Sequence, residues 1–174
     1  MASQDNFIEK LSDAPSLRGF LALSVNQFSH AVEQLINRVF RKKDFVVESV
    51  VNSLFEHQGP LAELPVRLKV LVSLGAISME VFQDINLFIE LKEYLSNEVE
   101  EFAFSDPKII DFIKKLHHID LTIILALLKQ QPALNNNNPI QYQMQQARLD
   151  KMIRSTLILA VSSISEKLDI ESPL

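Results

Sequence analysis

Cysteine is absent from the 174 residues. Its absence excludes disulfides, thiol catalysis and cysteine-ligated zinc, and it accords with a reducing compartment. Glycine is scarce, with three in the whole chain, which argues against a fold of many short strands and leaves no Gly-rich loop to cradle a phosphate. No nucleophile elbow, His-Glu-x-x-His or Glu-x-x-His run occurs. Catalysis therefore has no visible constellation, and no metal or cofactor is implied. Apolar runs of membrane length are also missing: the best candidates, Leu121 to Leu128 and Thr156 to Ile164, fall well short of the roughly 20 residues that span a bilayer. Asp5, Glu9 and Lys10 stand where an export signal would carry its apolar core, so the chain is expected to remain in the cytoplasm.

What is present is apolar sequence in helical rhythm. Apolar residues make up 47% of the chain, and a chain of this length can bury about 70% of its unfolded surface around one core. The expectation is an all-α fold: a single domain over residues 1–174, with six to seven helices around a central apolar helix hairpin. The first helix of that hairpin spans Glu63 to Leu74, with Gly59-Pro60 before it and Gly75 to close it. Leu61, Leu64, Leu68, Leu71 and Leu74 form one stripe, while Val66, Val70 and Val72 fill much of the rest. A helix apolar nearly all round belongs inside a protein. Ser78 caps the second helix, which is expected to reach about Phe102.

Around this hairpin the chain offers a short leading helix to Ser12 and a break at Pro15. A long helix follows from Ser16, with Leu21, Val25, Phe28, Val32 and Leu35 inward and Asn26, His30, Glu33 and Asn37 outward. Another helix is expected from Asp44 to the Glu56–Gly59 region. Asp106-Pro107 opens a helix predicted to run to about Gln130, and the amide-rich loop up to Pro139 precedes the last helix.

A few polar residues fall at positions that matter. Arg67 and Asp84 lie at similar depth on the two hairpin helices, and a lone buried charge would cost several kcal/mol, so an Arg67–Asp84 ion pair is expected. Arg38, Arg41, Lys42 and Lys43 form the densest basic cluster, a candidate contact patch whose plainer role is to complement the negative end of a helix dipole. His117 and His118 would point about 100° apart on a helix and so would not share an ion; His117 with Asp120 is an i, i+3 pair on the same face.

Charge is uneven. Residues 44–106 carry 12 acids against 3 bases, while the segments on either side are each +2. Duplex DNA would be repelled by that middle third, and a basic protein would not. A helix-turn-helix is excluded because its recognition helix would be Leu64 to Leu74, which has no polar face to lay in a groove.

At Gly59-Pro60-Leu61, Arg67-Leu68-Lys69, Leu74-Gly75-Ala76-Ile77-Ser78 and Asp84-Ile85, the sequence resembles the bacterial mannitol operon repressor family. Met152-Ile153-Arg154-Ser155-Thr156-Leu157-Ile158-Leu159-Ala160-Val161 resembles that family's last helix. The resemblance implies a cytoplasmic regulator that lowers expression of mannitol uptake and utilisation genes. With no basic reading head, it is expected to act through another protein, a phosphotransferase-system or transcription component, and homo-oligomerisation stays open. Two alternatives belong to other classes. One is a degenerate relative of the helical HEPN ribonucleases, whose Arg-x-x-x-x-His motif would fall at Lys92 to Asn97; the other is a sensor holding mannitol or its phosphate between helices.

Overall fold

In the computed structural model, residues 2–40, 45–56, 58–130 and 138–170 are described, and every regular element among them is a helix. In chain order these are α1 (Ala2–Asp13), α2 (Leu17–Val39), α3 (Phe45–Phe55), α4 (Leu64–Ser73), α5 (Met79–Asn97), α6 (Pro107–Ile113), α7 (Thr122–Gln130) and α8 (Pro139–Asp169). Arg41, Lys42, Lys43, the expected start at Asp44 and most of the amide-rich loop lie outside the described residues.

Local chemistry explains the ends. The Ser16 side chain accepts the Gly19 N–H at α2, Ser78 accepts the Val81 N–H at α5, and Asp106 accepts the Lys108 N–H at α6. Each hydroxyl or carboxylate satisfies an amide that the first helical turn leaves without a partner. Gly75 sits at φ +74, the Ala76 N–H reaches back to Leu71 O at 2.9 Å, and the Gly75 N–H reaches Val72 O at 3.1 Å. That pair of bonds is the Schellman closure, and its left-handed position suits glycine. At the other end, Pro65 rather than Pro60 lies in the first turn of α4.

The centre of the core is α2, not the α4–α5 hairpin. α2 buries Leu17, Phe20, Leu21, Val25, Phe28, Ala31, Val32, Leu35 and Ile36, against α5 on one side and α8 on another. α4 buries only Leu68 and Leu71, and Leu74 is exposed. A ten-residue helix spans only about 15 Å, and here it packs beside α2 and α5 without being covered all round. Three phenylalanines then form a chain of edge-to-face contacts, Phe28 to Phe88 at 5.3 Å and Phe88 to Phe112 at 5.5 Å. They lock α2, α5 and α6 together. Arg18, near the start of α2, meets Leu95, near the end of α5, so the two helices run antiparallel.

Two predicted helices stop early. α5 ends at Asn97 instead of Phe102, where Arg18 takes the carbonyls of Leu95, Glu98 and Glu100. The long helix expected from Pro107 to Gln130 is broken after Ile113 and resumes at Thr122. Asp120 Oδ1 accepts the Thr122 N–H at 3.0 Å and its hydroxyl at 2.7 Å, which starts α7 afresh.

Candidate functional site

The break between α6 and α7 creates the most concentrated polar node of the described residues. Asp84, on α5, is 0% exposed. Its Oδ1 accepts the His117 N–H at 2.9 Å and lies 2.8 Å from His117 Nδ1. Its Oδ2 does the same with His118, at 2.9 Å to the amide and 2.8 Å to Nδ1. A carboxylate only accepts, so each ring donates from Nδ1 and leaves Nε2 as its outward nitrogen. Burial alone would raise the Asp84 pKa, but these N–H donors outweigh it and hold the carboxyl below its ordinary 3.8.

The expected Arg67–Asp84 ion pair is not formed. Arg67 turns the other way: its Nη2 donates to Phe55 O at 2.6 Å, its Nε donates to Leu61 O at 3.1 Å, and the guanidinium lies 5.9 Å from the Phe55 ring centre. What it neutralises is the Phe55 carbonyl at the end of α3 and the Leu61 carbonyl in the connection to α4. The expected pairing of His117 with Asp120 is likewise replaced, because His117 binds Asp84 and Asp120 caps α7. Both histidines do converge on one acceptor, which helical geometry would have forbidden; the unwound connection allows it. Even so, no group of three or more His, Cys, Asp or Glu able to hold a metal exists among the described residues. The node is a clamp that pins the α6–α7 connection to α5.

Arg67 has company. Arg18 caps the end of α5, with 2.5 Å to Glu98 O and 2.9 Å to Glu100 O, and its Nε lies 3.1 Å from Glu101 Oε1 without aiming its hydrogen there. Arg38 Nη2 donates to Leu168 O at 2.6 Å in the last turn of α8, and Arg154 Nη1 donates to Ser12 O at 2.8 Å in the last turn of α1. Four guanidiniums thus cap the carbonyl ends of four other helices, where the helix dipole is negative. Of the proposed basic patch, Arg38 is held in this way and the other three residues lie outside the described set.

The cations that remain near the acidic third are partly engaged as well. Lys108 Nζ donates to Tyr94 Oη at 2.8 Å and lies 5.4 Å from the ring centres of both Tyr94 and Phe102. The Tyr94 hydrogen bond raises its pKa. Beside it the connection after α5 carries Glu98, Glu100 and Glu101 around Val99, which is 98% exposed. No helix of the described residues is long and apolar enough to cross a membrane.

A family model described as mannitol repressor matches residues 3–169. The chain belongs to the mannitol repressor family. Its sequence is 31% identical over 170 residues to the mannitol operon repressor of Escherichia coli K12, covering 98% of this chain and 84% of that one. It is also 25% identical over 168 residues to a protein named Fumarase E from the same strain, covering 95% and 96% of the two chains. Among solved structures, MtlR from Escherichia coli in complex with HPr superposes with a TM-score of 0.82 at 30% identity, over 98% of this chain and all of that one. YggD of Shigella flexneri, described as a possible transcriptional regulator, gives 0.77 at 25% identity over 95% and 97% of the two chains. Within this mannitol repressor family fold, the site residues that sequence reasoning missed are His117 and His118 as partners of Asp84. The signal that could have found them was Asp120-Leu121-Thr122, which spells a helix start and so a break just before it.

Proposed function

We propose that this chain represses mannitol uptake and utilisation genes in the cytoplasm, acting as one helical unit by seating a phosphotransferase-system protein of the HPr kind. The observation that carries this is the likeness, across the whole chain, to an MtlR protein solved with HPr. Among the described residues there is no reading head, which points the same way: α4 is short and largely aliphatic, and the four arginines above are committed to helix ends. The surplus of acids over residues 44–106 repels phosphate backbones and suits a partner with basic residues at its contact face. Immobilised chain should retain purified HPr, while operator DNA at roughly physiological salt should not shift. A sequence-selective shift of operator DNA by the purified chain alone would overturn the proposal.

We read the chain as non-enzymatic. Both oxygens of Asp84 are filled by the two histidines, which leaves no free carboxylate there to take a proton from a substrate. At the position of the nuclease motif, Lys92 keeps a cation but Asn97 has no proton to exchange near neutral pH. Purified protein should therefore neither hydrate fumarate nor cleave RNA. Fumarate turnover lost in His117→Ala, or RNA cleavage lost in Lys92→Ala, would contradict this.

A further inference from the structure

Between α1, α2 and α8 lies a cleft of about 230 Å³, below the roughly 300–1,000 Å³ of sites for drug-sized ligands. Its lining is polar and almost neutral: Gln27, His30 and Gln34 from α2, and Ser162, Ser165 and Asp169 from α8. No Lys or Arg is among the described residues that line it. On the α1 side, Phe7 supplies an apolar wall.

Ser165 sets this cleft apart. The residue is 4% exposed, and its Oγ is buried with no hydrogen-bond partner. Helical serines elsewhere solve that problem locally. Ser12, Ser24, Ser73, Ser96 and Ser155 each donate to the carbonyl four residues back, as does Thr156. Ser165 does not, and it lines the cleft instead. A buried hydroxyl without a partner is destabilising, and a turn of the Ser165 side chain about χ1 toward the cleft would let a ligand hydroxyl complete it. Beside it, the Gln34 amide donates to His30 Nε2 at 3.0 Å, which directs the other His30 nitrogen to act as a donor.

We propose that this cleft binds a neutral polyhydroxylated small molecule, a polyol of hexitol size or smaller. Amides, hydroxyls and one carboxylate offer both donors and acceptors, as vicinal hydroxyls require, and Phe7 offers an apolar surface to the carbon backbone. A phosphate ester is disfavoured, because Asp169 would face its charge and no cation lines the wall to balance it. The family's link to mannitol selects the probe; the lining selects the class. This site goes beyond the partner proposal and is independent of it, since HPr capture needs no ligand and ligand binding needs no HPr.

The test is calorimetric titration of the purified full chain with D-mannitol and, separately, with mannitol 1-phosphate, repeated on Ser165→Ala and Gln27→Ala. Mannitol should bind the native chain, the phosphate ester should bind more weakly, and each variant should lose about tenfold in affinity, the equivalent of one hydrogen bond. Ser165→Ala removes an unpartnered polar atom, so it should fold at least as stably as the native chain, and its loss of binding will not reflect unfolding. No binding of mannitol to the native chain, undiminished binding in both variants, or tighter binding of the phosphate ester would each overturn the proposal.

Discussion

Asp84 shows how one side chain can decide the path of the backbone. A carboxylate fully removed from water requires several donors, and it obtains them from two consecutive residues 33 and 34 positions away. Two of these donors are backbone amides, and an amide tied to a side chain cannot also serve a helix. Asp84→Asn replaces one accepting oxygen with an NH2 group that faces an N–H donor. It should cost about 3 kcal/mol, within the range for breaking a buried charged contact, and urea unfolding would measure it. The histidine donors keep the folded pKa of Asp84 below its ordinary 3.8. The ionised form therefore contributes its full stabilisation above about pH 4, and the contribution is lost as pH falls through the lower folded value. Denaturation midpoints followed down the acid limb should fall more steeply in the native chain than in Asp84→Asn. Equal slopes would show that the clamp is not linked to this carboxyl.

At the scale of elements, arginine placement explains why an acidic helical protein needs so few basic residues to hold its helices together. Each capping guanidinium reaches carbonyls at the end of a helix other than its own, so it works as a cap and as a tie between elements. Arg67→Ala should lose about 2 kcal/mol by removing charge-assisted bonds to Phe55 O and Leu61 O. Arg67→Lys should recover only part of it, because a single ammonium cannot present the planar fork that meets two carbonyls at once. Thermal midpoints of the three proteins would rank them, and full recovery in the lysine variant would show that the planar fork is not needed there. The same residue marks where sequence stopped being legible. Ser16, Ser78, Asp106-Pro107 and Gly75 announce helix ends because their partners lie within a few residues. Arg67 and Asp84 could be matched for depth, yet their true partners are backbone groups and a histidine pair whose positions depend on tertiary structure. The helix expected over Glu63 to Leu74 is not the centre for a related reason: composition signals burial, but which of two apolar helices has neighbours on every side depends on length and connection. α2, with 23 residues, extends far enough to meet both α5 and α8.

At the scale of the whole molecule, charge distribution separates the two ways a repressor can work. A chain of net charge −5 whose middle third carries 12 acids against 3 bases meets DNA with a repulsive field, whereas a partner whose contact face is basic is drawn toward it. Salt should then act on partner capture in a specific direction. At about 0.15 M the Debye length is about 8 Å, so exposed carboxylates still act at the contact face but steer weakly from a distance. Lowering salt lengthens that reach and should raise the association rate with HPr by about tenfold or more, while the dissociation rate, set by short-range packing, changes little. Stopped-flow association measured across a salt series would resolve the two. An association rate insensitive to salt would mean that the acidic exterior plays no part in recognition, and the partner's seat would then lie on an uncharged face of the bundle.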